Sequence, residues 1–246
     1  MVVNRVHEIS ENLARVRARI SNAALKAGRS ADEITLIVVT KTYPLSDLEI
    51  LYDLGVRDFG ENRIHEGAEK AARNFSGVRW HFQGQIQSNK IPTLIQWADV
   101  IHSLDDIRHA VKINQRATKN ISVFLQVSLD RHSRDSQTFF DTQQDIEKEF
   151  SPASGRGGVA PEALADLAMK IGELPHLSLA GIMAVAPLAE EPTVAFARLH
   201  EIYQRFTMVF LTSRFLSAGM SNDFEQAIAY GATHIRVGSS ILGLRS

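Results

Sequence analysis

The chain has 246 residues, 44% of them hydrophobic and 22% charged, with no cysteine and a formal net charge of -1. This length suits one domain with a large core, and the missing cysteine excludes disulfides, thiolate nucleophiles and cysteine zinc sites. The balanced charge argues against nucleic acid or an anionic membrane as the main partner. No apolar run approaches the roughly 20 residues of a membrane span, and the first residues lack a signal-peptide core. We therefore expect a soluble, cytoplasmic protein.

An amphipathic helix is predicted before the first strand, ending near Gly28. Its apolar positions recur at helical spacing: Val6, Ile9, Leu13, Val16 and Ile20. After the first strand, a capping-box pattern from Ser46 to Glu49 predicts the start of a second helix, which Gly55 stops. The chain thus begins an alternation of helices and strands.

Eight short apolar runs follow one another at fairly even intervals. They are residues 34–40, 56–60, 78–82, 98–103, 121–127, 177–184, 214–219 and 234–238. Further helical stretches are predicted at residues 61–74, 88–97, 105–118, 161–173, 191–211 and 221–230. This alternation predicts a parallel sheet, and eight rounds predict a single (β/α)8 TIM-like barrel with an extra N-terminal helix. An open doubly wound sheet is the alternative, but no GxGxxG follows the first strand.

One segment breaks this rhythm. Residues 129–158 are polar and too long for an ordinary connection between a strand and its helix. Their composition favours a flexible insertion, with a lid over the barrel mouth as the alternative. We take residues 1–246 as one domain that includes this segment.

Lys41 is the first candidate for chemistry, because active sites of such barrels lie where the strands end. Period-two alternation places it on the same face as Ile37 and Val39, which would direct it into the mouth. Desolvation there would lower the pKa of the ammonium group and favour a lysine that attacks carbonyls. The alternative is a lysine that only keeps the rim soluble.

The last two strands end in small residues directly before predicted helices. Ser221 follows the seventh strand, and Gly238 and Ser239 follow the eighth. Barrels commonly bind phosphate at these two loops, through backbone N–H groups at helix starts. We therefore predict a phosphate site here, although ordinary caps and turns would use the same residues. Asp223 would repel a phosphate, so we expect it to face outward.

Three further polar residues are predicted to reach the barrel interior or mouth. Arg236 alternates with Ile235 and Val237 on the eighth strand, so its guanidinium should point inward, toward a structural ion pair or a ligand ring. His81 and Asn62 also reach the mouth, as core hydrogen-bond partners or as ligands. The histidines show no metal-ligand spacing and no HExxH occurs, so no metal site is expected.

The wording of these motifs resembles the pyridoxal phosphate homeostasis proteins, the YggS and PROSC family, and more distantly the barrel of alanine racemase. The resemblance runs over nearly the whole chain. The matching stretches are VTKTYP, RDFGEN, WHFQGQIQSNK, the IHS turn, GIMAVAP, SAGMSND and IRVGSSILG.

The resemblance implies a barrel that holds pyridoxal 5'-phosphate as a Schiff base with Lys41. It further implies that Ser221, Gly238 and Ser239 contact the phosphate and that Arg236 faces the pyridine nitrogen. Asn62, His81 and Met220 would line the site. Lys90 lies in one of the matching stretches and is the second lysine to consider.

A permanently charged arginine at the ring nitrogen weakens the electron sink that catalysis on this cofactor needs. We therefore expect a carrier that serves intracellular vitamin B6 homeostasis without robust turnover, monomeric and without a second domain, with pyridoxal-phosphate-dependent apoenzymes as possible recipients. A small racemase or lyase acting on amino acids is one alternative. A cofactor-free Schiff-base aldolase that uses Lys41 is the other.

Overall fold

The structure, a computed structural model, describes residues 2–130 and 157–243 and contains a closed barrel of eight parallel strands. The strands are β1 Thr35–Val39, β2 Asp58–Glu61, β3 Arg79–Phe82, β4 Val100–Leu104, β5 Ile121–Gln126, β6 Leu177–Met183, β7 Phe215–Met220 and β8 His234–Val237. Each strand pairs with the next in the chain, and β8 pairs with β1 through Ile37 and Arg236. The prediction of a (β/α)8 barrel is confirmed.

The helices lie between the strands and outside the barrel. They are α1 Val2–Lys26, α2 Leu45–Asp53, α3 Ile64–Ala71, α4 Ile91–Trp97, α5 Ile107–Arg116, α6 Leu164–Gly172, α7 Pro192–Val209, α8 Phe224–Ala229 and α9 Ser239–Leu242. Most are shorter than predicted, because apolar periodicity does not separate a helix from the loop that leads into it. The stretch predicted from residue 61 shows this, since Glu61 ends β2.

The start of α2 differs from the prediction. The helix begins at Leu45 with Pro44 as its N-cap residue, and no side chain caps it. The capping-box pattern at Ser46 therefore lies inside the helix, since the fixed φ of Pro44 and its extended ψ place the N-cap two residues before the predicted one. The predicted stop is confirmed, with Gly55 in the left-handed region at φ 85°.

Helix α1 packs against the outside of the barrel through its apolar stripe, as predicted. Four of the five stripe positions are buried, and Val6 is 39% exposed. Arg5 donates to both carboxylate oxygens of Asp47 in α2 and to the carbonyl of Leu242 in α9. Asn12 donates to the carbonyl of Ile241. The first helix of the chain therefore holds the helix that follows β8.

The buried apolar residues form two separate clusters. The large apolar core fills the layer between strands and helices, whereas a small separate cluster of Val100, Phe124 and Met183 lies apart from it. Buried polar side chains lie next to the small cluster, with His102 stacked on Phe124. Within the described ranges, no helix has both the length and the apolar composition to cross a membrane. The predicted insertion falls mainly on residues 131–156, outside those ranges.

Candidate functional site

Lys41 lies in a tight turn at the carboxyl end of β1, two residues beyond the strand, and is half-buried. Tyr43 N donates to the Thr40 carbonyl across this turn at 3.0 Å. Thr42 has φ 68°, a value that a β-branched residue rarely adopts, and its N–H donates to Glu66 Oε1 at 2.5 Å. The strand alternation that we used for Lys41 therefore ends at Val39, and a strained, hydrogen-bonded turn sets the position of the lysine instead.

A buried cation supports this turn from below. Lys70 Nζ donates to the Thr40 carbonyl at 2.6 Å, to Glu61 Oε1 at 2.7 Å and to Glu66 Oε1 at 2.8 Å. The Thr40 hydroxyl also donates to Glu61 Oε1. Burial raises the pKa of Glu61, and Lys70 opposes that rise. We call Thr40, Glu61, Glu66 and Lys70 the Lys70 cluster. It fixes the rim between β1 and α3.

The sequence reasoning missed this cluster. The available signal was the spacing of Glu66 and Lys70, which are four residues apart on one helix face. Such pairs usually lie in solvent, and only the tertiary structure shows that Glu61 and Thr40 close over this one.

The rim after β2 and β3 carries two unsatisfied polar atoms. Asn62 follows β2 directly and Gln83 follows β3. In the described part of the chain, Asn62 Oδ1 and Gln83 Nε2 are buried without a hydrogen-bond partner. The Gln83 amide lies over Gly60, where a Cβ atom would approach Nε2 to 2.5 Å. Buried polar atoms of this kind are normally paired, so this rim offers one acceptor and one donor to a ligand.

The loops after β7 and β8 meet, as predicted for a phosphate site. Ser221 Oγ accepts from Gly238 N at 3.3 Å and from Ser240 N at 3.4 Å, and the Ser240 hydroxyl donates to the Ser221 carbonyl. A Cβ atom at Gly238 would lie 3.0 Å from the Val39 carbonyl, so the loop passes close to the end of β1. Ser239 begins α9, and its N–H has no carbonyl one turn earlier in that helix.

The structure corrects the expectation for Asp223. This residue is buried rather than directed outward, and its Oδ1 accepts from Met220 N at 2.6 Å. The carboxylate closes the turn that leads from β7 into α8 by accepting from a backbone donor at the end of β7. Met220 itself is 38% exposed at the end of β7.

Arg236 points into the barrel, as predicted. Its Nη1 donates to Ser217 Oγ at 2.7 Å and its Nη2 to the Ala184 carbonyl at 3.0 Å. Burial lowers the pKa of Arg236 to about 10, with an opposing effect of Asp223, so the side chain stays charged at neutral pH. No carboxylate among the described residues forms a salt bridge with it. By strand geometry, Arg236 lies on the same face as Gly238, one pleat away.

His81 is buried, and both of its ring nitrogens have partners inside the barrel. Nε2 lies 2.9 Å from Asp58 Oδ1 and Nδ1 lies 2.9 Å from His102 Nε2. His102 Nδ1 in turn lies 2.9 Å from Ser217 Oγ, the acceptor of Arg236. Burial lowers the pKa of His81 and, more strongly, that of His102, so both rings are neutral.

The sequence reasoning considered His102 only as a metal ligand and did not consider Ser217. Both occupy positions in β4 and β7 that alternation can place inside the barrel, but the pattern cannot show that they meet across 115 residues of chain. The described residues contain no group of three or more His, Cys, Asp or Glu side chains that could hold a metal ion.

These residues surround the carboxyl end of the barrel with different chemical functions. A lysine follows β1, a pair of hydrogen-bonded loops follows β7 and β8, and a buried cation lies one pleat below them on β8. Such a set can bind a ligand that joins a carbonyl, a phosphate and a ring acceptor.

The sequence model of the protein family "Alanine racemase, N-terminal domain" matches residues 9–246. Among curated proteins, the pyridoxal phosphate homeostasis protein of Escherichia coli is 35% identical, with 98% of each chain covered. The protein of the same name from Mycobacterium bovis is 34% identical, over 98% of this chain and 95% of the relative.

Solved structures have the same barrel fold. PipY of Synechococcus elongatus, solved with PLP bound, superposes with a TM-score of 0.76 at 27% identity, covering 96% of this chain and all of PipY. Alanine racemase of Corynebacterium glutamicum shares the fold alone, with a TM-score of 0.66 at 14% identity over 98% of this chain and 61% of the racemase.

Proposed function

This chain belongs to the alanine racemase N-terminal domain family and, within it, to the pyridoxal phosphate homeostasis proteins, and from that membership we propose that it binds pyridoxal phosphate through Lys41. Lys41 Nζ would form this bond with the aldehyde carbon of the cofactor, and the aldehyde oxygen would leave as water. The role proposed is to hold the cofactor and release it to apoenzymes in the cytoplasm, as a monomer and without robust turnover.

The described residues fit this cofactor. Because residue 238 has no side chain, the loop after β8 can lie this close to the end of β1, where Lys41 follows. N–H groups at the start of α9 suit a phosphate, and the Ser221 hydroxyl holds the two loops together. The unpaired Asn62 Oδ1 and Gln83 Nε2 supply polar contacts on the opposite rim.

When bound, pyridoxal phosphate supplies an aldehyde that reacts with amines and a ring that withdraws electrons. The environment of Arg236 carries our proposal of binding without turnover. Its guanidinium is buried, donates to a hydroxyl and a carbonyl, and stays charged at neutral pH. A charged arginine can only donate to a ring nitrogen and cannot accept its proton. Arg236 therefore keeps the nitrogen unprotonated, which weakens electron withdrawal and disfavours catalysis.

Each proposed contact has one task. Lys41 would bind the aldehyde carbon, and Arg236 would donate to the ring nitrogen. The phosphate would be held by Ser221, Gly238 and Ser239. Asn62 and Met220 line the remaining rim. His81 acts through other residues, because both of its ring nitrogens already have partners.

The test is a visible absorption spectrum of the purified protein with pyridoxal phosphate, followed by borohydride reduction and peptide mass spectrometry. We expect the cofactor to be fixed on Lys41 and the adduct to be lost in Lys41→Ala. Lys90→Ala is the matched control and should keep it. An adduct that persists on another lysine in Lys41→Ala would refute the assignment, and a colourless protein would leave the aldolase alternative.

A panel of amino acids tests the carrier role. We expect slow side reactions only, measured as loss of optical activity or release of products. Turnover of any common amino acid on the order of 1 per second or faster would favour the racemase or lyase alternative instead.

A further inference from the structure

A continuous chain of hydrogen bonds crosses the barrel interior and ends on Arg236. Asp58, at the amino end of β2, contacts His81 in β3, which contacts His102 in β4, which contacts Ser217 in β7. The three spacings are 2.9 Å each, and Ser217 Oγ lies 2.7 Å from Arg236 Nη1. We call Asp58, His81, His102 and Ser217 the interior chain.

The protons of this chain can be assigned from its two ends. Burial alone would raise the pKa of Asp58, but the hydrogen bonds from His81 and Arg79 hold that pKa below its usual value. Asp58 is therefore a carboxylate, which only accepts. His81 must then carry its proton on Nε2, and because the ring is neutral its Nδ1 accepts.

The assignment continues without conflict to the other end. His102 must donate from Nε2 to His81, and its Nδ1 must accept because this ring is neutral as well. Ser217 therefore gives its hydroxyl proton to His102, which leaves its oxygen to accept from Arg236. Arginine can only donate, so every bond in the chain has one proton and one direction.

We propose that the interior chain positions Arg236: the carboxylate of Asp58 fixes the direction of each hydrogen bond, so that Ser217 Oγ always presents an acceptor to the guanidinium. The proposal rests on the proposed function only in taking Arg236 as the donor to the ring nitrogen. Because Arg236 does not give up its proton, the chain transmits orientation and polarisation rather than a proton.

The surrounding charges are consistent with this role. Arg79 Nε donates to Asp58 from the outer end of the chain at 2.8 Å. The ring of His234 lies 6.4 Å from that of His102, and burial lowers the pKa of His234 to about 3, so it adds no charge. His102 is stacked on Phe124, with 4.5 Å between ring centroids. The apolar ring covers one face of His102, which is fully buried.

The first experiment needs no cofactor. Nitrogen NMR of the histidine rings in the apo protein should show His81 and His102 neutral and protonated on Nε2 at neutral pH. The Nη signals of Arg236 should be separate, because the guanidinium is held in one orientation. A charged ring, or a proton on Nδ1 of either histidine, would overturn the proposal.

Asp58→Asn removes the charge that orders the chain while keeping the size of the side chain. We expect the Nη signals of Arg236 to coalesce in this variant. Arg79→Gln is the matched control, since it breaks the outer ion pair of Asp58 without entering the chain, and it should keep the signals separate. If Asp58→Asn does not fold, Ser217→Ala breaks the chain at the other end and should give the same coalescence. Separate signals in the folded variant would reject the positioning role.

A double-mutant cycle then tests the connection to the cofactor. Asp58→Asn should weaken pyridoxal phosphate binding about two- to tenfold when Arg236 is present, and should have no further effect in Arg236→Gln. Equal weakening in both backgrounds would overturn the proposal. A wild-type protein that does not bind pyridoxal phosphate would refute the proposed function, while the NMR signals would still decide whether the chain positions Arg236.

Discussion

The protein buries two cations near the same end of the barrel and compensates them in opposite ways. Lys70, 6% exposed, contacts Glu61 and Glu66 directly. Arg236, 4% exposed, contacts a hydroxyl and a carbonyl, and the interior chain separates it from Asp58 by four hydrogen bonds. In a direct ion pair, the charge of the cation stabilises the fold and is not available to a ligand. A charge compensated at a distance keeps its hydrogen-bonding capacity for a ligand, so we expect damage at the Lys70 cluster to reduce stability and damage around Arg236 to reduce binding.

The strongest test of this contrast is Lys70→Met. The substitution leaves Glu61 buried without its cation, so the free energy of unfolding should fall by about 3–5 kcal/mol in urea titrations. Lys170→Met removes an exposed partner of Asp166 at the same helical spacing and should cost less than about 0.5 kcal/mol. Similar losses in the two variants would show that the Lys70 cluster adds no more than a surface pair.

Gly238→Val tests the other region. The new side chain would meet the Val39 carbonyl, which displaces the loop after β8 from the site. We expect retention of pyridoxal phosphate in equilibrium dialysis to weaken more than about tenfold, or about 1.4 kcal/mol. A Cβ atom at Gly172 meets nothing within 4 Å, so Gly172→Val is the control and should bind normally. Normal binding by Gly238→Val would place the phosphate elsewhere.

The buried histidines near Arg236 predict how stability depends on pH. Burial lowers the pKa of His234 to about 3, below its value in the unfolded chain, so only the unfolded state gains a proton as the pH falls below about 6.5. His234 should therefore cost about 1.4 kcal/mol of stability per pH unit from about pH 6 to pH 4. His234→Leu should reduce that slope, whereas His7→Gln, at an exposed position, should not. Parallel slopes for all three proteins would contradict the neutral state of His234.

The smallest expected effect belongs to Ser221→Ala. Its hydroxyl accepts two long backbone hydrogen bonds that hold the β7 and β8 loops together. Their loss should weaken cofactor retention by about 1 kcal/mol, or about fivefold. Ser21→Ala, which removes an exposed hydroxyl bonded within α1, is the control. Unchanged binding would leave the backbone N–H groups as the phosphate ligands without help from Ser221.

Most of the fold followed from the sequence because periodicity is a local signal. Eight apolar runs and the stripe of α1 sufficed for the barrel, and small residues after β7 and β8 indicated loops that do meet. The predictions for the start of α2 and for the direction of Asp223 were wrong. Pro44 sets the start of the helix, and the hydrogen bond from Met220 N holds the Asp223 carboxylate in the turn.

The interior chain was not predictable in this way. Each of its members is an ordinary inward residue on its own strand, and the contacts depend on how the strands stagger around the barrel. The Lys70 cluster was missed for a related reason, since the helix spacing of Glu66 and Lys70 is typical of solvent-exposed pairs. The sequence pattern located the ends of the strands, but only the three-dimensional structure showed which polar groups form hydrogen bonds with one another.

The contacts of α1 have a consequence for biosynthesis. Arg5 and Asn12 bond to the carbonyls of Leu242 and Ile241, across 237 and 229 residues of chain. In the order of synthesis α1 precedes its partners in α9 by more than 200 residues, and β1 likewise precedes β8. The barrel therefore cannot close before β8 and α9 have been made. Because the loop of Gly238 joins these two elements, a nascent chain that has not yet reached α9 lacks both the closed barrel and one loop of the candidate site.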